Sequence, residues 1–159
     1  VIGLSACTKP DRFGAGAGDY DTAGAPTGVT PGGPSDPASP AYFQSAVGDR
    51  VLFLVDQSSL TAEARATLDA QSSWLASNPA YNATIQGHAD EQGTREYNLA
   101  LGARRANAVQ EYLISRGVAG ARVDTVSYGK ERPIEICSEE ACYAKNRRAV
   151  TVLQAALGS

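Results

Sequence analysis

The 159-residue chain contains no methionine, one histidine, one tryptophan and three cysteines. Each scarcity excludes something. Without a methionine, Val1 is not a translational start, and the N-terminus is expected to be trimmed or truncated. One His and three Cys leave too little for a metal centre or a nucleophile–His pair, so no metal and no cofactor is expected. No run of 18 apolar residues occurs, so no segment is expected to span a membrane as a helix. Fourteen Lys and Arg against seventeen Asp and Glu give a net charge of −3. That balance supplies no general drive toward nucleic acid.

What is present is unevenly distributed. Residues 1–40 hold 8 glycines and 6 prolines, while the other 119 residues hold 8 and 2. The first part is too poor in large apolar residues to offset its ordering entropy and is expected to be disordered. The second has the size of one domain with one core.

The first seven residues, Val1-Ile2-Gly3-Leu4-Ser5-Ala6-Cys7, read as the end of an apolar signal segment followed by small residues and a cysteine. Leu4-Ser5-Ala6-Cys7 resembles the bacterial lipobox, in which the signal is cut before the cysteine and the thiol carries a lipid. The alternative is an apolar stub with an incidental cysteine. Thr8, where an Asp would signal retention, resembles lipoproteins sent to the outer membrane. Acyl chains contribute about 0.8 kcal/mol per buried CH₂, so several on Cys7 would anchor the chain firmly. Residues 8–46 then read as a flexible tether with a root-mean-square reach on the order of 35 Å. The domain is expected over 47–155.

Within it, Arg50 to Val55, continuously apolar from Val51 onward, suits a buried strand. Thr61 is placed to cap a helix running to Ser77, which Asn78-Pro79 stops. Ala83 to Gly87 alternates as a second strand. Thr94 is placed to cap a long helix to Arg116, closed by Gly117. Val123–Tyr128 and Arg148–Gln154 complete the set. The order β-α-β-α-β-β predicts an α+β fold, an α/β sandwich with helices on a mixed four-stranded sheet.

The long helix carries an unusual residue. Arg105 falls about 40° from the centre of the apolar face defined by Leu101, Ala108 and Tyr112. A buried arginine must be paired, and Asp90, just past the second strand, is the expected partner. A carboxylate and a guanidinium at a strand mouth suit a zwitterion, with Asp90 taking an ammonium and Arg105 a carboxylate. The same spacing also suits a plain Asp–Arg bridge that fixes the loop.

The run from Ile85 through Gly87-His88-Ala89-Asp90, Gly93, Asn98 and Leu101 to Arg104-Arg105-Ala106 resembles the signature of OmpA-like peptidoglycan-binding domains. Ser127–Pro133 and Asn146-Arg147-Arg148-Ala149-Val150 support it, and from Gly48 to Leu153 the chain looks like the lipoprotein branch of that family. The resemblance implies non-covalent binding of the peptidoglycan stem peptide, without cleavage. It implies that Asp90 and Arg105 contact the meso-diaminopimelate side chain. Asp56, Asn98 and Leu101 would line or brace the pocket, with Val55, Ala89 and Gly93 beside the ligand. Many relatives carry an acidic or glycine residue where this chain has Leu54. The resemblance further implies an outer-membrane lipoprotein of the Tol–Pal envelope system in a Gram-negative bacterium, facing the periplasm and serving envelope integrity and cell division. Its partners there would be TolB, TolA and other envelope proteins, with no nucleic acid.

In the periplasm, Cys137 and Cys142 would form a disulfide; the alternative is two reduced thiols in a turn. His88, beside Asp90, reads as a structural or pocket-wall residue, since it has no catalytic companion. One of Arg147 and Arg148 is expected to support the pocket. Rival readings are an OmpA-like module of a motor stator or secretion system and, from another class, a peptidoglycan hydrolase. For the hydrolase the sequence offers no placed carboxylate pair.

Overall fold

A computed structural model describes residues 31–156. The expectations for Cys7 and for the tether up to residue 30 lie outside the described residues. The elements run as a helical segment α1 (Pro40–Tyr42, continued by a π-helical turn over Phe43–Gly48), then β1 (Arg50–Leu52), α2 (Ala62–Ser77), β2 (Tyr81–His88) and α3 (Arg95–Ser115). A 3₁₀ turn (Gly120–Arg122), β3 (Val123–Gly129), α4 (Glu140–Asn146) and β4 (Arg148–Ala155) follow.

The four strands form one sheet in the order β1-β4-β2-β3. β4 is antiparallel to both β1 and β2, whereas β2 and β3 run parallel. The sheet is therefore mixed, and the fold is α+β. Thr61 and Thr94 cap α2 and α3 through side-chain oxygens that accept from Ala64 and Tyr97 backbone N–H. Gly117, at φ 104°, ends α3. The core joins Phe53, Leu68, Leu75, Ile85, Val109, Leu113 and Val123 between sheet and helices.

Three features differ from the sequence expectation. β1 stops at Leu52 rather than Val55, because the chain turns at Val55-Asp56 and Asp56 adopts φ 57°. A fourth helix, α4, occupies the stretch read as a loop before the last strand. Finally, the folded unit begins upstream of residue 47. Ser39 caps α1, Phe43 is fully buried against Trp74 with ring centroids 5.0 Å apart, and the Trp74 indole N–H donates to the Pro37 carbonyl at 2.7 Å. Burying one aromatic side chain outweighs the Pro/Gly-rich average around it.

α3 crosses β2 at very short range. A Cβ on Gly87 would lie 1.8 Å from the Gly102 carbonyl oxygen. Glycine at both positions permits this approach, and it sets how close α3 stands to the end of β2.

Candidate functional site

Two strand ends and the start of α3 meet at one place. Val55 and Asp56 follow β1, Asp90 follows β2, and Gln92 and Gly93 lead into α3, whose first turns supply Tyr97, Asn98 and Leu101. Together these residues line a cleft of about 200 Å³. Six of the expected ligand-binding residues are among them: Val55, Asp56, Asp90, Gly93, Asn98 and Leu101. A larger groove of about 460 Å³ runs beside β1 and α2, lined by Leu52, Leu54, Thr61, Ala64 and Thr67 among others. Arg50, Glu63 and Arg147 also line it, but the two carboxylates Asp56 and Asp90 converge only in the smaller cleft, which favours that cleft as the recognition site.

The local geometry explains how each side chain is held. Gly93 takes φ 96°, which lets the chain reverse between β2 and α3. Asn98 is buried and donates from Nδ2 to the Gln92 carbonyl at 2.7 Å, while Lys130 Nζ donates to the Gly93 carbonyl at 2.6 Å. Asp90 Oδ1 accepts from the Gln92 backbone N–H at 3.0 Å. Asp56 is exposed, in the left-handed region, and its carboxylate accepts from the Tyr97 hydroxyl. That hydrogen bond raises the Tyr97 pKa. Backbone held in this region by a non-glycine residue is a recurrent mark of functional sites.

Two expected residues stand elsewhere. Arg105 is fully buried and does not pair with Asp90. Its guanidinium donates to three main-chain carbonyls, Gln57 from Nε at 2.8 Å, His88 from Nη1 at 2.9 Å and Leu54 from Nη2 at 3.2 Å. It lies over the Phe53 ring at 5.1 Å. Burial lowers its pKa to about 10, with the charge of Asp90 opposing the fall, so it remains cationic at neutral pH. Arg105 thus ties the turn after β1 to the end of β2 from beneath the cleft. Leu54, whose side chain is exposed, contributes its carbonyl to this bond set. Ala89 is also buried outside the lining, with its N–H donating to the Gly129 carbonyl at 2.8 Å.

Asp90 pairs instead with Arg147, Oδ2 to Nη1 at 3.1 Å, in a contact buried on both sides. Arg148 is not among the residues that line the cleft and donates to the carbonyls of Asn146 and Arg132. His88 is buried against Tyr128, ring centroids 5.5 Å apart, and neither ring nitrogen has a hydrogen-bond partner among the described residues. It is a core residue and not part of the cleft. Cys137 and Cys142 are joined in a disulfide, Cα atoms 5.9 Å apart, at the start of α4. Gln92 and Tyr97 were missed by sequence reasoning. The signal for Tyr97 was its position in the first turn of a capped helix, from which it reaches back toward Asp56.

Residues 52–147 match the model of the OmpA family. A peptidoglycan-associated lipoprotein from Rhizobium meliloti is 58% identical over 121 residues, which is 76% of this chain and 69% of that protein. Another from Agrobacterium fabrum is 46% identical over 153 residues, covering 96% and 82%. The crystal structure of the peptidoglycan-associated lipoprotein from Burkholderia pseudomallei superposes with a TM-score of 0.68 at 41% identity, over 76% of this chain and 98% of that one. The C-terminal domain of Helicobacter pylori MotB shares the fold, with a TM-score of 0.59 at 18% identity over 67% of this chain and 86% of that one.

Proposed function

Since the chain belongs to the OmpA family and, within it, to the peptidoglycan-associated lipoproteins, we propose that it binds peptidoglycan non-covalently as a lipoprotein of a Gram-negative cell envelope. The family is non-enzymatic. We read the ligand as the diaminopimelate residue of the stem peptide, seated in the cleft between Asp56 and Asp90. One observation carries this reading: Val55, Asp56, Asp90, Gly93, Asn98 and Leu101, drawn from three separate stretches of sequence, line a single cleft.

The chemistry follows from the lining. Asp56 and Asp90 offer carboxylates to the ligand's ammonium, and Leu101 and Val55 offer apolar surface to its methylenes. Its carboxylate would face the N-terminal end of α3, where backbone N–H groups and the helix dipole favour negative charge. Beneath lies Arg105, whose charge has no salt-bridge partner among the described residues. Arg105 thus acts by its field and by holding the cleft together, a different part from the direct clamp that helical spacing suggested. With Cys7 lipidated and the stretch between it and α1 as tether, the protein would link the outer membrane to the wall within the Tol–Pal system, alongside TolB and TolA.

Pull-down with purified sacculi tests the assignment. Asp90→Ala and Asp56→Ala should each reduce the bound fraction at least several-fold, since hydrogen bonds to charged groups contribute about 1.5–3 kcal/mol. Thermal denaturation of the same variants checks folding. Wild-type binding by both would refute this cleft.

A further inference from the structure

Arg147 does not serve Asp90 alone. Its Nε donates to the Phe53 carbonyl at 3.0 Å and Nη1 to Asp90 Oδ2 at 3.1 Å, while Nη2 donates to Glu140 Oε2 at 2.6 Å. Glu140 Oε1 lies a further 3.5 Å from Nη1, so the Glu140 pair is bidentate. The two partners bracket α4: Glu140 opens the helix and Arg147 is its C-cap, with the backbone N–H bonded to the Tyr143 carbonyl. Residues seven apart on a helix lie on one face, which is how so short an element presents both to the end of β2. Glu140 is far more exposed than its partner, 66% against 5% for the side chains.

We propose that Glu140 and Arg147 are positioning residues for Asp90, and that Glu140 keeps the cleft negatively charged. This rests on the cleft being the wall-binding site. With Asp90 as its sole carboxylate, a buried guanidinium would draw that carboxylate fully into a one-to-one ion pair, and the pair would be neutral. Sharing the guanidinium between two carboxylates leaves a net charge of −1 on the triad, with Asp90 as the member that lines the cleft. Arg147 in turn fixes the Asp90 rotamer, and its bond to Phe53 anchors the set to the end of β1. Burial alone would lower the Arg147 pKa, but the hydrogen bonds and charges of Glu140 and Asp90 outweigh it and raise the pKa. Arg147 therefore keeps its charge at every physiological pH. Lysine cannot reproduce the arrangement, because a point ammonium lacks the planar fork that spans three acceptors.

The test is the affinity of the full chain for a soluble muropeptide bearing diaminopimelate, measured at low and moderate salt. Glu140→Gln is expected to weaken binding about five- to tenfold at low salt, with the difference shrinking as salt screens the cleft. Glu140→Asp should recover part of the loss. The melting temperature of Glu140→Gln should stay near that of wild type, because the substituted group is mostly solvated. Asp90→Asn is measured in parallel. Loss of binding by Asp90→Asn with wild-type affinity and salt dependence for Glu140→Gln overturns the proposal and leaves the cleft assignment standing. Wild-type affinity for Asp90→Asn overturns both.

Discussion

Arg105 and His88 are both buried ionisable residues within reach of the end of β2, and burial treats them in opposite ways. Arg105 keeps its charge by filling its N–H groups with three carbonyls. His88 has no such partners among the described residues and is held neutral: burial, and then the charges of Arg148, Arg132 and Arg50, lower its pKa from 6.5 to about 4. Between those two values the unfolded chain binds a proton that the folded chain does not. Stability from this residue is therefore complete above pH 6.5 and is lost as pH falls toward 4, a change of at most about 3 kcal/mol. Melting temperatures measured from pH 7 to pH 4 should fall, and His88→Phe should flatten that fall; an identical slope would refute the assignment. Sequence placed Arg105 correctly on the buried face of its helix. It misassigned the partner, because helical spacing gives the direction of a side chain and not which carbonyls wait at its depth. The Leu54–Gln57 turn that receives Arg105 stands 51 to 48 residues away in the chain.

Among the elements, those with end signals were legible. Thr61, Thr94, Asn78-Pro79 and Gly117 bound α2 and α3 to within a residue or two of where they lie. β1 and α4 were not legible for local reasons. An apolar run fixes no end for a strand when an Asp in the left-handed region turns the chain. A seven-residue helix has too few turns to show a period, and its Cys137–Cys142 bridge drew attention to a loop. The α3–β2 contact is a property of two elements together. A Cβ on Gly102 would stand 2.4 Å from Ser127 Oγ and 2.9 Å from the Gly87 carbonyl oxygen. Because Ser127 Oγ is bonded to the Leu99 carbonyl at 2.6 Å, it cannot move aside freely. Gly102→Ala should destabilise by about 1–3 kcal/mol through this overpacking, despite alanine's better helix propensity. Denaturant unfolding that shows a neutral or stabilising change would contradict the close approach.

For the molecule as a whole, the boundary at residue 47 lies too late. The Gly/Pro-rich composition ends at Pro40, but a tether running on to residue 46 takes in the aromatic pair Tyr42 and Phe43. The Phe43 ring and the Trp74–Pro37 bond attach α1 to the domain. Phe43→Ala should cost about 3–5 kcal/mol, as for a fully buried aromatic. Unfolding of Phe43→Ala within about 1 kcal/mol of wild type, well below that range, would restore the later boundary.

The attachment at Trp74 also has a mechanical meaning. Trp74 packs on Tyr81, ring centroids 5.4 Å apart, and Tyr81 is the first residue of β2, whereas Asp90 lies just beyond its last. The N-terminal segment therefore joins the sheet at one end of β2 and the cleft opens at the other, about 26 Å away for eight extended residues. A pull between the Pro37–Phe43 segment and an occupant of the cleft runs lengthwise along that strand. The rungs that β2 shares with β4 and β3 would then bear the load in shear, all together, instead of unzipping one after another.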